Sequence, residues 1–158
     1  MSSIRRAEPG IYRVCDPRPG AARAAVQAMV CAAGTAQERT LAIEGPGFAI
    51  VAASPPVDLP SCGPGLHCDQ RGVLVWAGEM QLPPTWHGPA EPTSPQQVAA
   101  VVRQKLATCG PQALADIDGS FCGAWFDAAT QTWTVFNDRW GLMPLFWWSQ
   151  GDRLVVAP

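Results

Sequence analysis

The chain has 158 residues and a net charge of −2, with 47 % apolar and only 15 % charged residues. That length suits one domain with a single sizeable core. Ten arginines and one lysine without a basic run offer no phosphate-tracking surface, so nucleic acid is not an expected partner; nor does any stretch approach the roughly 18 apolar residues of a membrane span.

Glu8, Pro9 and Gly10 interrupt the apolar core that a secretory leader would need after Ser2 to Arg6. A cytoplasmic location is therefore expected, with the six cysteines reduced and serving mostly as small core residues. Ile11 to Val14 is a short apolar run suited to a strand, broken by Asp16-Pro17-Arg18-Pro19-Gly20. Ala21 to Ala33 has no breaker and places Ala22, Val26, Met29 and Val30 at helical spacing, with Gly34 as its stop. Thr40 to Ile43 and Phe48 to Ala52 are expected to be strands about the Gly45-Pro46-Gly47 turn.

Ser54 to Gly65 and Gln81 to Thr93 are rich in proline and glycine and are expected to be loops, on either side of an apolar strand at Val73 to Trp76. Ser94-Pro95-Gln96-Gln97 opens a helix, with a serine N-cap and proline at the first position. Its apolar stripe is Val98, Val101, Val102 and Leu106, and Gly110 closes it. Pro111 to Ile117 is expected to be a second, short helix. Four strands should follow, at Gly119–Asp127, Thr132–Asn137, Pro144–Ser149 and Arg153–Val156, forming a terminal antiparallel meander. Helices early and mid-chain with paired antiparallel strands argue for an α+β fold. Of seven tryptophans, five lie between Trp125 and Trp148, so this region is expected to be deeply buried or to face a partner.

Leu114 to Asp127, followed by Trp133 to Phe146, carries a specific pattern. Gly119, Phe121, Trp125 and Asp127 are followed after a second strand by Asp138, Arg139, Gly141, Pro144 and Leu145. This string resembles the class II glutamine amidotransferase domain of asparagine synthetases, whose pattern has glycine and phenylalanine opening a strand, then Arg-Asp-Arg, a glycine and Pro-Leu-Tyr. Asn137 departs from it, standing where the family has its first arginine. Val73-Leu-Val-Trp-Ala-Gly-Glu79 is similar to the family's strand ending in Asn-Gly-Glu, and Pro9-Gly10-Ile11 to its opening Cys-Gly-Ile. Residues 15–70 match only in outline. The resemblance implies a four-layer αββα sandwich of antiparallel sheets, of the N-terminal nucleophile hydrolase type.

It also implies a chemistry that this sequence does not equip. In the family an N-terminal cysteine attacks the glutamine amide with its own α-amino group as base, and an asparagine and a glycine N–H hold the oxyanion. The nucleophile position here is Pro9, which has no thiol and lies inside the chain. The oxyanion asparagine is replaced by Ala77, leaving Gly78. The glutamine-binding arginine would fall near Pro46-Gly47 and the aspartate near Pro95. A degenerate pocket of Gly10, Gly47, Gly78 and Pro95 is therefore expected, without catalytic residues. The same departure marks β-lactam synthetases and lasso-peptide cyclases, which use an amine of the substrate and need no ammonia.

Other constellations carry less. Cys62, His67 and Cys68 supply three candidate zinc ligands where a structural site wants four, so no metal is expected. His87 is expected to be an ordinary loop histidine. Asp116 and Asp118 suit turn capping better than acid/base work. Trp140 with Phe146-Trp147-Trp148 suits core and interface. The expected whole is a silent domain at residues 1–158, as the N-terminal part of a longer asparagine-synthetase-like chain. Its partner would be a C-terminal or separate synthetase (ATP pyrophosphatase) domain holding the ATP and Mg, with a homodimer left open. A stand-alone binding or scaffold protein and a divergent, active glutaminase domain are the alternatives.

Overall fold

A computed structural model describes residues 10–33, 39–54, 59 and 61–158. The expected nucleophile position, Pro9, lies outside the described residues, as does Gly34.

Among the described residues the chain forms nine strands and three helices: β1 (Gly10–Cys15), α1 (Ala21–Ala33), β2 (Arg39–Gly45), β3 (Phe48–Ser54), β4 (Gly65–Asp69), β5 (Gly72–Gln81), the one-turn α2 (Pro84–His87), α3 (Pro95–Cys109), β6 (Asp118–Asp127), β7 (Thr132–Asn137), β8 (Phe146–Gln150) and β9 (Arg153–Ala157). A 3₁₀ turn at Pro111–Asp116 links α3 to β6. Two antiparallel sheets result, one ordered β2-β3-β1-β9-β8 and the other β4-β5-β6-β7.

Alternation along the strands divides the core into three layers. On β5, Leu74 and Trp76 face α3, whose Val98, Ala99, Val102 and Leu106 pack against them together with Phe121 and Trp125 of β6. Val75 and Ala77 point the other way and meet Ile11, Ile50 and Ala52 of the first sheet, with Cys122, Ala124 and Met143 in the same layer. Beyond the first sheet, Val14 and Ala49 receive Ala22 and Val26 of α1. Helix, sheet, sheet and helix thus stack in that order. The α+β expectation holds, and the layers are compatible with a sandwich.

α3 starts where its sequence says it should. Ser94 Oγ accepts from the Gln97 N–H at 3.3 Å, Pro95 occupies the first turn, and the Gly110 N–H returns to Leu106 O at 2.9 Å. The structure departs from expectation at four places. Gly65–Asp69 is a strand, an edge pairing with β5 through a turn in which Asp69 Oδ1 accepts from the Arg71 N–H at 2.8 Å. The Gln81 to Thr93 segment contains the α2 turn. The last strand pair begins at Phe146, leaving Pro144 and Leu145 outside it. Most importantly, the terminal strands are not one meander: β6 and β7 close the second sheet, whereas β8 and β9 belong to the first. Residues 138–145 therefore cross from one sheet to the other.

No helix among the described residues is long and apolar enough to cross a membrane.

Leu106 is buried in the α3 layer and Leu142 is largely exposed. Leu106→Ala is expected to lower unfolding free energy by about 2–5 kcal/mol through lost burial and a residual cavity, and Leu142→Ala to change it by less than about 0.5 kcal/mol. Urea midpoints of the two variants, compared with the parent chain, check the placement of the core.

Candidate functional site

The crossover is built on one carboxylate. Asp138 is buried; its Oδ1 accepts from the N–H groups of Trp140 and Leu142, and its Oδ2 from that of Met143, each at 3.0 Å. Its own N–H donates to Phe121 O at 2.8 Å, fastening the loop to β6. Burial alone would raise the Asp138 pKa, but the amides of Leu142, Met143 and Trp140 outweigh it and hold the carboxyl below its ordinary value. Gly141, at φ 67°, closes the turn by donating to Asp138 O at 3.1 Å. Arg139 reaches from the loop to Ala115 O in the 3₁₀ turn. Met143 and Leu145 drop into the layer between the sheets, while Pro144 stays exposed. The remaining signature residues frame this loop. Phe121 packs edge-on against Phe136 in the α3 layer. Asp127 ties the β6–β7 turn by accepting from Ala129 N and Thr130 Oγ1, both at 3.0 Å. Gly119 (φ 119°) approaches the Glu79 carbonyl so closely that no side chain fits.

The expected degenerate pocket is brought together only in part. Gly10 pairs with Ala53 of β3 and is buried, with Pro158 packed against its Cα. The next residue, Ser54, is fully buried and its Oγ accepts a hydrogen bond from the Gly78 N–H at 3.1 Å, from one sheet to the other. Gly78 has φ 98°, and a side chain there would run into Ser120 O and Met143 Sδ, so only glycine is tolerated. Pro95, half-buried at the start of α3, presents its carbonyl to Gly65, which pairs with Trp76 two residues before Gly78. Gly47 does not join them. It sits in the β2–β3 turn, accepting from the Asp16 N–H at 2.9 Å beyond the Cys15 end of β1. Five residue-to-residue steps along β1 separate that end from Gly10, about 17 Å. The residue that does flank Gly10 is Ala53, which carries no charge to hold a carboxylate.

Two cysteines come near the inner layer. Cys122, on β6 opposite Ala77, is fully buried. Burial first, and then the Asp138 charge, push its thiol up to about 12 against a hydrogen bond with the backbone of Ile11. At neutral pH the group therefore stays a thiol and not the thiolate, the form that attacks carbonyls. Cys15 lies at the far end of β1, next to Arg13. That arginine is buried, its guanidinium 4.4 Å from the Trp133 ring centre, and burial lowers its pKa despite contact with Cys15.

Among the described residues no cluster of His, Cys, Asp and Glu could hold a metal ion. His67 and Cys68 stand on β4, where His67 Nε2 is 3.7 Å from Asp69 Oδ2. His87 ends α2 half-buried, its Nδ1 without a partner. The tryptophan-rich segment proved to be surface: Trp140, Leu142, Phe146, Trp147 and Trp148 are exposed by 50–75 %. At about 150–250 Å² per aromatic side chain the four rings uncover roughly 500 Å² in all, divided between the two faces of β8, because Trp147 points opposite to Phe146 and Trp148. Sequence reasoning missed Ser54, which the proline-rich context assigned to a loop, and Cys122, which only strand register places opposite Ala77.

Two antiparallel sheets stack between helices, with the Asp138 carboxylate at their crossover. Residues 92–158 match the family model described as a glutamine amidotransferase domain, which supports a domain of the glutamine amidotransferase type. The matched span contains Pro95, α3, the Gly119 to Asp127 strand and the Asp138 to Leu145 crossover. It does not reach β1 or β5. No curated protein matches the chain.

Asp138→Ala removes the acceptor of three amides, one of them on buried Met143; a loss of about 2–4 kcal/mol of stability is expected. Asp138 has a lowered pKa, and Asp16 is held at about 2 by the hydrogen bond from Arg18. Both carboxylates are bound more tightly in charged form by the folded chain, so their contribution is complete above the unfolded value of about 3.9 and disappears as pH falls through the folded values. Urea unfolding between pH 2 and 6 should therefore show stability falling below about pH 4, less steeply in Asp138→Asn; an unchanged slope would count against this role.

Proposed function

We propose that the chain is a glutamine-amidotransferase-like domain of the asparagine synthetase type that does not hydrolyse glutamine and acts as scaffold for a synthetase domain. The observation that carries this reading is the Gly78 N–H. At the position where the resemblance puts the remaining oxyanion donor, that amide is already bonded to the buried hydroxyl of Ser54. Its neighbour Ala77 has no donor to add, and loss of one oxyanion donor alone costs roughly 10²–10³ in rate. Gly10 lies beneath Pro158, Met143 closes on Gly78, and the nearby thiol of Cys122 is protonated at neutral pH.

The layered sheets support an N-terminal nucleophile hydrolase-like sandwich whose signature loop persists for its structural work. The partner would be an ATP-dependent synthetase domain, following in the same chain or separate, that activates a carboxylate and joins it to an amine the substrate itself supplies. Peptide macrolactam or lactam formation is the corresponding reaction class. ATP and Mg would belong to that domain. The exposed rings of Trp140 and of the edge strand β8 have the apolar character that such a partner would cover.

Incubating the purified chain with glutamine is the test. Glutamate release at the uncatalysed rate is expected, at every pH from 6 to 9. Release above that rate, abolished by Cys122→Ala or Cys15→Ala, would overturn the reading and make the chain a divergent active glutaminase.

A further inference from the structure

Among the described residues the first sheet ends at β8, Phe146-Trp147-Trp148-Ser149-Gln150, and all five residues are exposed. Edge strands usually carry a charge, a proline or a bulge that discourages further pairing. At the opposite edge β2 has Glu44, ion-paired with Arg23 at 3.4 Å. β8 has none of these, and its register with β9 is unbroken. Trp147 turns toward the second sheet, beside Val156, while Phe146 and Trp148 turn the other way. A strand added at this edge would therefore meet aromatic side chains on either face. The inner layer is also open on this flank, where a cleft of about 300 Å³ is lined by Val135, Leu145, Trp147 and Leu154.

The backbone of β8 is complementary to itself. A two-residue turn joins β8 to β9, with Gln150 opposite Arg153 and Phe146 opposite Ala157. Residues flanking such a turn exchange both hydrogen bonds, and the direction alternates along the strand. Phe146, Trp148 and Gln150 therefore direct their N–H and C=O groups to β9, whereas Trp147 and Ser149 direct theirs to the open side. In two antiparallel copies of β8, these outward groups match when Trp147 of each faces Ser149 of the other. That register pairs the whole strand through four backbone hydrogen bonds, and a slip of two residues either way leaves two. It also sets a large ring against a small side chain. The two Trp148 residues then meet at the two-fold axis as a non-hydrogen-bonded pair, the kind in which side chains come closest.

We propose that two copies of this chain join edge to edge through β8, about a two-fold axis at Trp148, so that their first sheets become one. Phe146, Trp147 and Trp148 are 67, 73 and 50 % exposed. At about 150–250 Å² per ring they leave roughly 400 Å² bare on each copy. Two copies with their strand edges reach about 1,000 Å², the lower limit for a specific interface, so the dimer comes apart on dilution. The pairing is independent of the glutamine reading, and a synthetase domain seated on β8 would take the second copy's place.

Sedimentation velocity of the purified chain, from micromolar to millimolar concentration, tests this. The mass should rise with concentration from 16.8 kDa toward twice that value. Ser149→Pro removes an outward N–H and leaves every ring in place; it should weaken association at least tenfold. Trp148→Cys, oxidised with diamide, should form a disulfide between copies at that position, found by peptide mapping. Phe146→Cys should form none, because its two sites stand about 13 Å apart along the paired strands, beyond the reach of a disulfide. Should circular dichroism show that Ser149→Pro does not fold, the cysteine pair decides alone. A chain monomeric at every concentration overturns the proposal. So does a dimer indifferent to Ser149→Pro, or a Trp148→Cys chain that forms no such disulfide. None of these outcomes bears on glutamine hydrolysis.

Discussion

The fold turns on how the chain gets from one sheet to the other. Stacked sheets lie about 10 Å apart, and residues 138–145 must carry their backbone polar groups across that gap beside a close-packed layer. Asp138 makes this affordable in free energy because an ionised carboxylate is the one side chain that only accepts, with lone pairs for several donors at once. It gathers Trp140, Leu142 and Met143 while its own amide holds β6. Met143 and Leu145 then fill the inner layer, and β8 and β9 enter the first sheet at a fixed height beside β1.

On the proposed reading, that dependence explains how a signature can persist while a reaction centre is filled. Asp138, Arg139, Gly141, Met143 and Leu145 act on packing or on backbone satisfaction, and none of them needs a nucleophile nearby. At the inner layer the substitutions are mutually consistent. Ala77 is small enough to pack against the first sheet, and Ser54 supplies an acceptor for an amide that burial would otherwise strand. Catalysis requires that amide to remain free for charge developing on a substrate, and an internal hydroxyl removes the freedom without loss of stability. On the proposed reading, closing the centre strengthens the scaffold.

Local order was legible in the sequence because local forces decide it. The Ser94 cap, the Pro95 start and the valine stripe announce α3, and the breakers around Gly45 to Gly47 announce β2 and β3. Sheet membership was not legible. Apolar alternation says that β7 and β8 are strands but not which neighbours they take, and eight intervening residues look like a loose turn until the Asp138 bonds are known. β4 escaped for a different reason: Leu66-His67-Cys68-Asp69 is an edge strand with Cys68 and Asp69 exposed, so its side chains show no buried period. In the candidate centre, Gly78 meets Ser54, the neighbour of the residue paired with Gly10. Gly47 lies at the other end of the first sheet, which nothing in residues 15–70 could reveal, since it is the register that puts Ala53 beside Gly10.

The same packing determines where the molecule can still meet something else. Each outer helix is narrower than its sheet: α1 lies mainly on β1 and β3, and α3 on β4 and β5. Coverage therefore fails on the flanks, at β8 in the first sheet and at the ends of β6 and β7 in the second. The two flanks differ in chemistry. At β8 the bare side chains are aromatic, suited to a broad apolar contact with another domain. Beyond α3 the open cleft is lined by Arg71, Asp127 and the side chains of Thr130, Thr132 and Thr134. Ala53, Ser54 and Ala77 are fully buried between the sheets, and contacts at the flanks require no change in the layer that Asp138 holds together.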